Sequence, residues 1–173
     1  MKFNPTIVQA SFLSPLGPMT LAATQTGLAG VWFKGQRHLP DELANAFSWQ
    51  VDAKHPVLIK AAKQLGEYFA GQRQVFDMPL DLSGGTVFQQ AVWQALLAIA
   101  PGQTTSYGSI SKTIGNSAAV RAVGAAVGRN PISIIVPCHR VVGSNGALTG
   151  YAGGLDRKTA LLKLEGALEE NLF

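Results

Sequence analysis

The chain has 173 residues and a mass of 18.2 kDa, which is enough for one substantial hydrophobic core or for two small ones. Hydrophobic residues make up 47% of it, but no apolar run approaches the roughly 18 residues that a membrane span requires. The first residues show no basic, apolar or cleavage region of a secretory signal. We therefore expect a soluble protein of the cytoplasm that makes no membrane contact.

Cysteine is present once, as Cys138, so an internal disulfide is excluded. Together with His38, His55 and His139 it makes a poor ligand set for a tetrahedral zinc ion. We therefore expect neither a metal ion nor another cofactor.

The net charge of +4 is unevenly distributed along the chain. Residues 1–85 contain seven Lys or Arg against six Asp or Glu, whereas residues 86–166 contain seven against two. The basic residues of the second region are Lys112, Arg121, Arg129, Arg140, Arg157, Lys158 and Lys163. Such an excess fits attraction to a polyanion, but a solvated basic surface explains it equally well.

The first half begins with strand-like segments separated by turn residues and continues with one helix. The predicted strands are Thr6–Leu13, Met19–Thr24 and Leu28–Phe33, followed after the helix by a strand-like segment at Phe76–Leu82. Pro56 suits a first helical position, and apolar residues recur at helical spacing from there until Gly71 stops them. This half is thus predicted to be a small antiparallel sheet covered by a helix.

The second half is predicted to be mostly helical. A capping-box spacing at Thr86 and Gln89 starts an apolar helix that reaches Ile99. Two shorter helices, Tyr107–Ile114 and Ser117–Gly128, flank a turn and predict a helix-turn-helix.

Beyond the predicted helix-turn-helix, the chain alternates buried, turn and helical patterns. The apolar run Ile132–Val136 leads to the cysteine, and Val141–Leu148 resembles a small hairpin. A last helix covers Leu155–Glu165 with Gly166 as its stop, and the tail Ala167–Phe173 is predicted to fray.

A lone cysteine in a cytoplasmic protein is more often a small buried hydrophobe than a nucleophile. Here, however, His139 and Arg140 follow Cys138 directly, and a histidine or a positive charge favours the reactive thiolate. Because adjacent side chains point in different directions, we expect His139 to reach the thiol through a water molecule.

Two further features have both a structural and a functional interpretation. Glu165, in the last turn of its helix, is either a solvated carboxylate or the acceptor that fixes a histidine tautomer. The segment Gly150–Gly154 is either a flexible surface turn or a loop that offers backbone N–H groups to a ligand.

The region Thr86–Gly166 closely resembles the O6-alkylguanine-DNA alkyltransferases. The motifs that carry the resemblance are Arg121-Ala122-Val123-Gly124, Asn130-Pro131, Pro137-Cys138-His139-Arg140-Val141, Gly150-Tyr151-Ala152-Gly153-Gly154, and Lys158 through Glu165-Gly166. In the first lobe only Ser14–Gly17 and Tyr68–Gly71 resemble the family.

The resemblance implies specific roles for the residues at the matching positions. Cys138 would be the alkyl acceptor, His139 its base through water, and Glu165 the partner of that histidine. Asn130 would tie the recognition helix to the cysteine segment. Tyr107 would help rotate the nucleotide and bind the guanine edge.

The same resemblance implies that double-stranded DNA containing alkylated guanine is the partner of a monomeric protein. Arg121 would enter the duplex and fill the gap left by the flipped nucleotide, with Ala119, Val120, Gly124 and Arg129 beside it at the DNA. The resemblance leaves open whether O4-alkylthymine is also a substrate.

The loop Tyr151, Ala152 and Gly153 would close over the base. Some relatives carry serine at the position of Ala152, so here donation to the guanine oxygen would have to come from the backbone. The structural zinc of some relatives is not expected, because the first lobe contains no cysteine.

The fold class predicted in this way is α/β, of the α+β type. Residues 1–85 form an amino-terminal α/β lobe, and residues 86–173 form a mostly helical, winged-helix-like domain that binds DNA and accepts the alkyl group. The predicted function is a single-turnover DNA repair transferase.

Two rival functions remain open from the sequence. A hydrolytic enzyme could use Cys138, His139 and Glu165 as a triad, although a directly adjacent Cys-His pair disfavours it. An alkyltransferase-like protein would only sense damaged bases, but such proteins replace the acceptor cysteine.

Overall fold

The computed structural model describes residues 1–44 and 49–169, which form two compact units. The first unit contains Met1–Thr86 together with Pro131–Ser133, and the second contains Val87–Asn130 and the chain from Ile134 onward. The short segment 131–133 thus belongs with the first unit although it lies in the second half of the sequence. We keep residues 1–85 and 86–173 as a proposed division into domains.

The first unit is built on a four-stranded sheet with the order β3-β2-β1-β4. Its strands are β1 (Val8–Ser14), β2 (Gly17–Ala23), β3 (Leu28–Phe33) and β4 (Gln50–Val51). The first three pair antiparallel, as predicted, and β4 adds to β1 in parallel. Gly17 closes the β1–β2 turn with φ of 111°, a conformation that costs glycine little.

Helices α1 (Asp41–Ala44) and α2 (Pro56–Phe69) complete the regular structure of this unit. The prediction for α2 is confirmed at both ends, because Pro56 is its first residue and Gly71, with φ of 72°, follows its end. α2 packs against β1, β2 and β3 and buries Leu58, Ala61 and Leu65. A separate group formed by Ile7, Ala22, Ala29 and Trp32 is also buried.

The predicted strand Phe76–Leu82 is wrong, since only one isolated bridge, Leu28 to Leu80, forms there. Pro79 can accept a hydrogen bond from Leu28 but has no N–H to continue a ladder. The Asp81 N–H donates to the carbonyl of Leu28, and its carboxylate accepts from Thr24 and from Ser83 at 2.5 Å each. The backbone pairing does not extend beyond this bridge.

The second unit contains helices α3 (Val87–Leu97), α4 (Tyr107–Thr113) and α5 (Val120–Gly128), which pack on one another. Trp93 of α3 is fully buried, and its indole N–H donates to the carbonyl of Ala126 in α5 at 2.9 Å. The predicted helix-turn-helix is confirmed by α4, a turn and α5. However, α5 starts at Val120, because Ser117–Ala119 lie in the turn that precedes it.

A two-stranded parallel pair joins β5 (Thr105–Ser106) to β6 (Val141–Val142). The hairpin predicted at Val141–Leu148 is therefore wrong, because β6 finds its partner just before α4. After β6, a tight turn is closed by the N–H of Gly143, which donates to the carbonyl of Ala147.

The last helix, α6 (Leu155–Leu164), ends one residue before the predicted Glu165, and the predicted stop Gly166 follows with φ of 75°. Residues 170–173 of the predicted frayed tail lie outside the described residues. Within residues 1–44 and 49–169, no helix is long and apolar enough to cross a membrane. The same residues contain no cluster of three His, Cys, Asp or Glu side chains suited to a metal ion.

Candidate active site

The cysteine lies in a fully buried stretch of chain that runs from Asn130 to Val142. This stretch is irregular until the 3-10 turn Cys138–Arg140. Ile134 has φ of 72°, which is a strained conformation for a β-branched residue. Asn130, just after α5, donates its side-chain amide to the carbonyl of Val136 at 2.8 Å and so holds the stretch before the cysteine.

The Cys138 thiol is 5% exposed, and burial raises its pKa above the ordinary value. A hydrogen bond with the Asn130 side chain and the charge of Lys158 act in the opposite direction. Burial thus favours the protonated thiol, so attack on carbon requires a base. The effect of His139 and Arg140 on the thiolate stays a prediction.

A base is available in His139, which is fully buried. Its Nε2 lies 2.8 Å from Oε1 of Glu165, so the ionised carboxylate accepts the Nε2–H. Burial lowers the pKa of His139, although Glu165 opposes this effect. Among the described residues, Nδ1 has no hydrogen-bond partner, so this tautomer leaves a lone pair on Nδ1.

Arg140 completes the contacts of the Glu165 carboxylate. Its Nε donates to Oε2 and its Nη2 to Oε1, both at 2.8 Å, and Nη1 donates to the carbonyl of Ile99. Despite burial, hydrogen bonds and charges from Arg140 and His139 lower the pKa of Glu165 to about 2. Glu165 is therefore ionised at neutral pH.

Lys158 is fully buried on α6 and organises the segment before the glycine-rich loop. Its ammonium donates to the carbonyls of Val141 at 2.6 Å, Thr149 at 2.7 Å and Gly150 at 3.2 Å. Burial lowers its pKa to about 8. Lys158 thus joins β6 to the loop and adds a positive charge near the thiol. We call the buried cluster the group formed by Cys138, His139, Arg140, Lys158 and Glu165.

Five residues predicted to bind DNA lie on or beside α5, outside the buried cluster. Arg121 and Arg129 are exposed, and the side chain of Val120 is 41% exposed. Ala119, at the helix start, and Gly124 are half-buried. A Cβ built on Gly124 would lie 3.9 Å from the Tyr107 ring, so α5 approaches α4 closely there.

Tyr107 begins α4, and its hydroxyl accepts from Thr149 Oγ1 at 3.4 Å. Tyr151, Ala152 and Gly153 are half-buried in the turn before α6. That turn is held by Gly154 N–H donating to the Tyr151 carbonyl, and by Arg157 donating to the Gly153 carbonyl at 3.1 Å.

Sequence reasoning placed Arg140 beside the thiol and Lys158 in a family motif, but it did not predict that either side chain is buried or which groups it binds. Lys158 and Glu165 occur at helical spacing with Leu161 and Leu162, on the face that α6 buries. Arg140 stands inside an otherwise apolar stretch. Charges at such positions are a signal for buried ion pairs, and that signal was present in the sequence.

Two family models match the sequence, one in each half of the chain. The 6-O-methylguanine DNA methyltransferase ribonuclease-like domain matches residues 7–82, and the DNA binding domain of the same description matches residues 87–167. The chain is 51% identical over 161 residues to the methylated-DNA--protein-cysteine methyltransferase of Methanosarcina acetivorans, covering 91% of this chain and 97% of that protein. It is 50% identical to the Mycobacterium bovis protein of that name, covering 88% of each chain.

Solved structures agree with these relationships. The structure of Mycobacterium tuberculosis OGT in complex with DNA has a TM-score of 0.80 and 46% identity, covering 93% of this chain and 92% of that one. The O6-methylguanine-DNA methyltransferase of Pyrococcus kodakaraensis superposes with a TM-score of 0.64 at 26% identity, covering 92% of this chain and 99% of that chain. The chain therefore belongs to the 6-O-methylguanine DNA methyltransferase family.

Proposed function

We propose that this protein repairs DNA by moving the alkyl group of O6-alkylguanine onto its own Cys138. The observation that carries the proposal is the buried His139–Glu165 pair, which lies directly beside Cys138 in the chain. Cys138 stands next to His139, and His139 is held by Glu165 at 2.8 Å. Together with membership of the family, this arrangement supports transfer to sulfur.

The chemistry balances without a cofactor. Cys138 loses its proton to His139, and the thiolate attacks the alkyl carbon while the bond from that carbon to O6 breaks. The bonding pair stays with guanine, which then receives the proton. The products are unmodified guanine and a thioether at Cys138, which has no easy hydrolytic exit, so each molecule reacts once.

The position of the proton during transfer follows from the contacts of His139. Its Nε2–H is directed to Glu165, so the thiol proton is taken up at Nδ1, which we propose occurs through a water molecule. Because the pKa of Glu165 is about 2, the carboxylate orients the imidazole and does not take the proton over.

The remaining roles concern the DNA substrate. We assign to exposed Arg121 the filling of the gap after nucleotide flipping, with Ala119, Val120, Gly124 and Arg129 lining the DNA. The small residues of α5 support this assignment, since they let its backbone approach a duplex closely.

Tyr107 and the loop of Tyr151, Ala152 and Gly153 are assigned to the flipped base. Tyr107 begins α4 and packs beside Gly124 of α5, which supports a place at the edge of the DNA surface. Ala152 has no side-chain donor, so hydrogen bonding to the guanine oxygen falls to the loop backbone. O4-alkylthymine is an additional substrate to be tested.

We further propose that a monomer performs the repair in the cytoplasm. All the groups of the buried cluster come from one chain, so the chemistry needs no second copy. A reducing compartment keeps the single thiol free.

Intact-protein mass spectrometry tests the proposal. After incubation with a short duplex containing O6-methylguanine, the mass should increase by one methylene group, and peptide mapping should locate it on Cys138. An unmethylated duplex and Cys138→Ala are the controls. An unchanged mass after long incubation would falsify alkyl transfer.

Duplex binding beside the mass measurement, and a separate assay with an acyl substrate, distinguish the two rival functions. A sensing protein would bind the methylated duplex tightly and keep its mass, whereas a hydrolase would turn over repeatedly on an acyl substrate. The retained Cys138 argues against the first rival, and the direct adjacency of Cys138 and His139 argues against the second.

A further inference from the structure

Arg140 makes more contacts with Glu165, the partner of the base, than the transfer chemistry itself requires. It is 5% exposed and donates to both oxygens of Glu165 at 2.8 Å. Its third contact is to the carbonyl of Ile99, which lies two residues after the end of α3, and it fixes the guanidinium to that part of the chain. The guanidinium makes these contacts from three separate nitrogens held in one plane, whereas an ammonium would have to make them from a single nitrogen.

We propose that Arg140 is a positioning residue that fixes Glu165 as the acceptor of His139 Nε2–H, and thereby keeps Nδ1 of His139 as the proton acceptor for Cys138. The kinetic consequence rests on the proposed alkyl transfer. The consequence for the histidine tautomer does not, because it concerns only residues of this chain.

The geometry of the carboxylate explains why a positioning residue is needed. Oε1 of Glu165 accepts from both His139 and Arg140, while Oε2 accepts from Arg140. The two Arg140 contacts therefore fix the plane of the carboxylate and leave a defined direction at Oε1 for the imidazole. Without them the carboxylate can rotate away from His139.

The protonation of Glu165 depends on the same contacts. Burial by itself raises the pKa of this carboxyl, and Arg140 and His139 are the groups that lower it. A protonated Glu165 would carry an O–H and would compete with Nε2–H as a donor. The imidazole would then be free to move its proton to Nδ1, where it blocks the uptake of the thiol proton.

Three charged groups act on His139 itself. Glu165 favours the imidazolium, whereas Arg140 and Lys158 disfavour it. Arg140 therefore has two effects: it holds the acceptor of Nε2–H and it helps to keep the resting imidazole neutral. Removing the guanidinium should raise the pKa of the coupled His139–Glu165 pair, so that the base becomes protonated at higher pH.

The first test is nitrogen-15 NMR of the His139 imidazole in the whole protein, assigned with His139→Gln. The unmodified protein should show one neutral tautomer with hydrogen on Nε2 at pH 7.5. In Arg140→Met, hydrogen should appear on Nδ1 or on both nitrogens. In Arg140→Lys, which retains the charge but not the fork, the same change should be smaller.

The second test is the pH dependence of transfer from free O6-benzylguanine. Arg140→Met should slow transfer roughly tenfold or more at pH 7.5, which is less than the roughly hundredfold or more that a general base contributes, because His139 itself remains. Its loss of activity on acidification should also begin at higher pH than in the unmodified protein. Lys163→Met, an exposed change on α6, serves as the matched control.

A merely structural role would give a different result. The proposal is overturned if both Arg140 variants keep the Nε2–H tautomer and if their transfer rates from O6-benzylguanine fall by the same factor at every pH. If Arg140→Met does not fold, Arg140→Lys carries both tests. Absence of transfer in the unmodified protein would remove the proposed function, while the tautomer measurement would still decide the role of Arg140.

Discussion

The turn that carries Cys138 and helix α5 both belong to the basic half of the chain, but they use basic residues in opposite ways. Around the turn, Arg140 and Lys158 are buried and bind a carboxylate and backbone carbonyls. On α5, Arg121 and Arg129 are exposed and available to a polyanion. Counting basic residues in the sequence therefore overstates the positive charge at the protein surface. It also hides that two of these residues hold the groups of the candidate active site in place.

The comparison predicts that the two kinds of basic residue respond differently to substitution. Buried cations should affect folding and the state of His139, because their partners have no water to replace them. Exposed cations should leave folding unchanged and affect only reactions that involve DNA. The following experiments, from the largest expected effect to the smallest, test this division.

Lys158→Met should lower the free energy of unfolding by about 4 kcal/mol, because it removes the donor from three inward carbonyls while keeping the apolar stem. Chemical denaturation followed by the fluorescence of Trp93, the tryptophan of the second unit, measures the loss. Lys163→Met on the exposed face of the same helix is the control and should change stability by less than about 0.5 kcal/mol. Equal losses in both variants would contradict the division.

Glu165→Gln should remove a pH-dependent part of the stability. The pKa of Glu165 in the folded protein, about 2, lies below its ordinary value of 4.5, so the stabilisation is fully present above pH 4.5 and is lost as the pH falls towards 2. The difference corresponds to about 3 kcal/mol.

Denaturation curves at several acidic pH values, with Trp93 as the probe, measure this contribution. The unmodified protein should lose more stability between pH 4.5 and 2 than Glu165→Gln does. Glu42→Gln on the surface of the first unit controls for the loss of an exposed carboxylate. Parallel acid dependence of the unmodified protein and Glu165→Gln would show that the ion pairs of Glu165 contribute nothing net.

Arg121→Ala should leave stability unchanged and slow transfer from duplex DNA about tenfold or more, because the flipped nucleotide leaves a gap that costs about 1–2 kcal/mol when unfilled. Transfer from free O6-benzylguanine should keep its rate, since no duplex is opened. Single-turnover rates on both substrates measure the difference. Equal slowing on both substrates would show that Arg121 acts on the reaction itself, as the buried basic residues are expected to do, and not on the duplex.

Thr149→Val should have the smallest effect, since the contact of the Thr149 hydroxyl with Tyr107 is 3.4 Å long and exposed. A weak exposed hydrogen bond contributes about 0.5 kcal/mol, so Thr149→Val should lower the single-turnover rate of alkyl transfer from duplex DNA about twofold. Thr149→Ser should restore the rate. In a Tyr107→Phe background the effect of Thr149→Val should vanish, and persistence there would show that the Thr149 hydroxyl acts elsewhere.

Local patterns predicted the helices well. Pro56 as a first helical residue and Gly71 and Gly166 as stops describe interactions within one turn of the chain, so the limits of α2 and α6 were readable. The start of α5 was missed by three residues, because Ser117 suits a helix start locally while the turn to α4 uses Ser117–Ala119.

Pairings between distant segments were predicted poorly. The segment Val141–Leu148 has the local composition of a hairpin, yet β6 pairs with β5, which precedes α4. Phe76–Leu82 has the alternation of a strand, but its pairing is limited to one bridge with Leu28, and Pro79 has no N–H with which to extend it. Strand partners depend on the whole topology, which composition within a segment does not contain.

The amino-acid sequence by itself determined the order of the helices, the helix-turn-helix and, through its motifs, the family and the residue proposed to accept the alkyl group. Only the tertiary structure decided what Arg140 and Lys158 do. Arg140 meets a carbonyl 41 residues away at Ile99 and a carboxylate 25 residues away at Glu165. A basic side chain acts as a surface cation or as a positioning group according to its solvent exposure and the acceptors within its reach. Its exposure and its acceptors are both set by how distant segments of the chain pack.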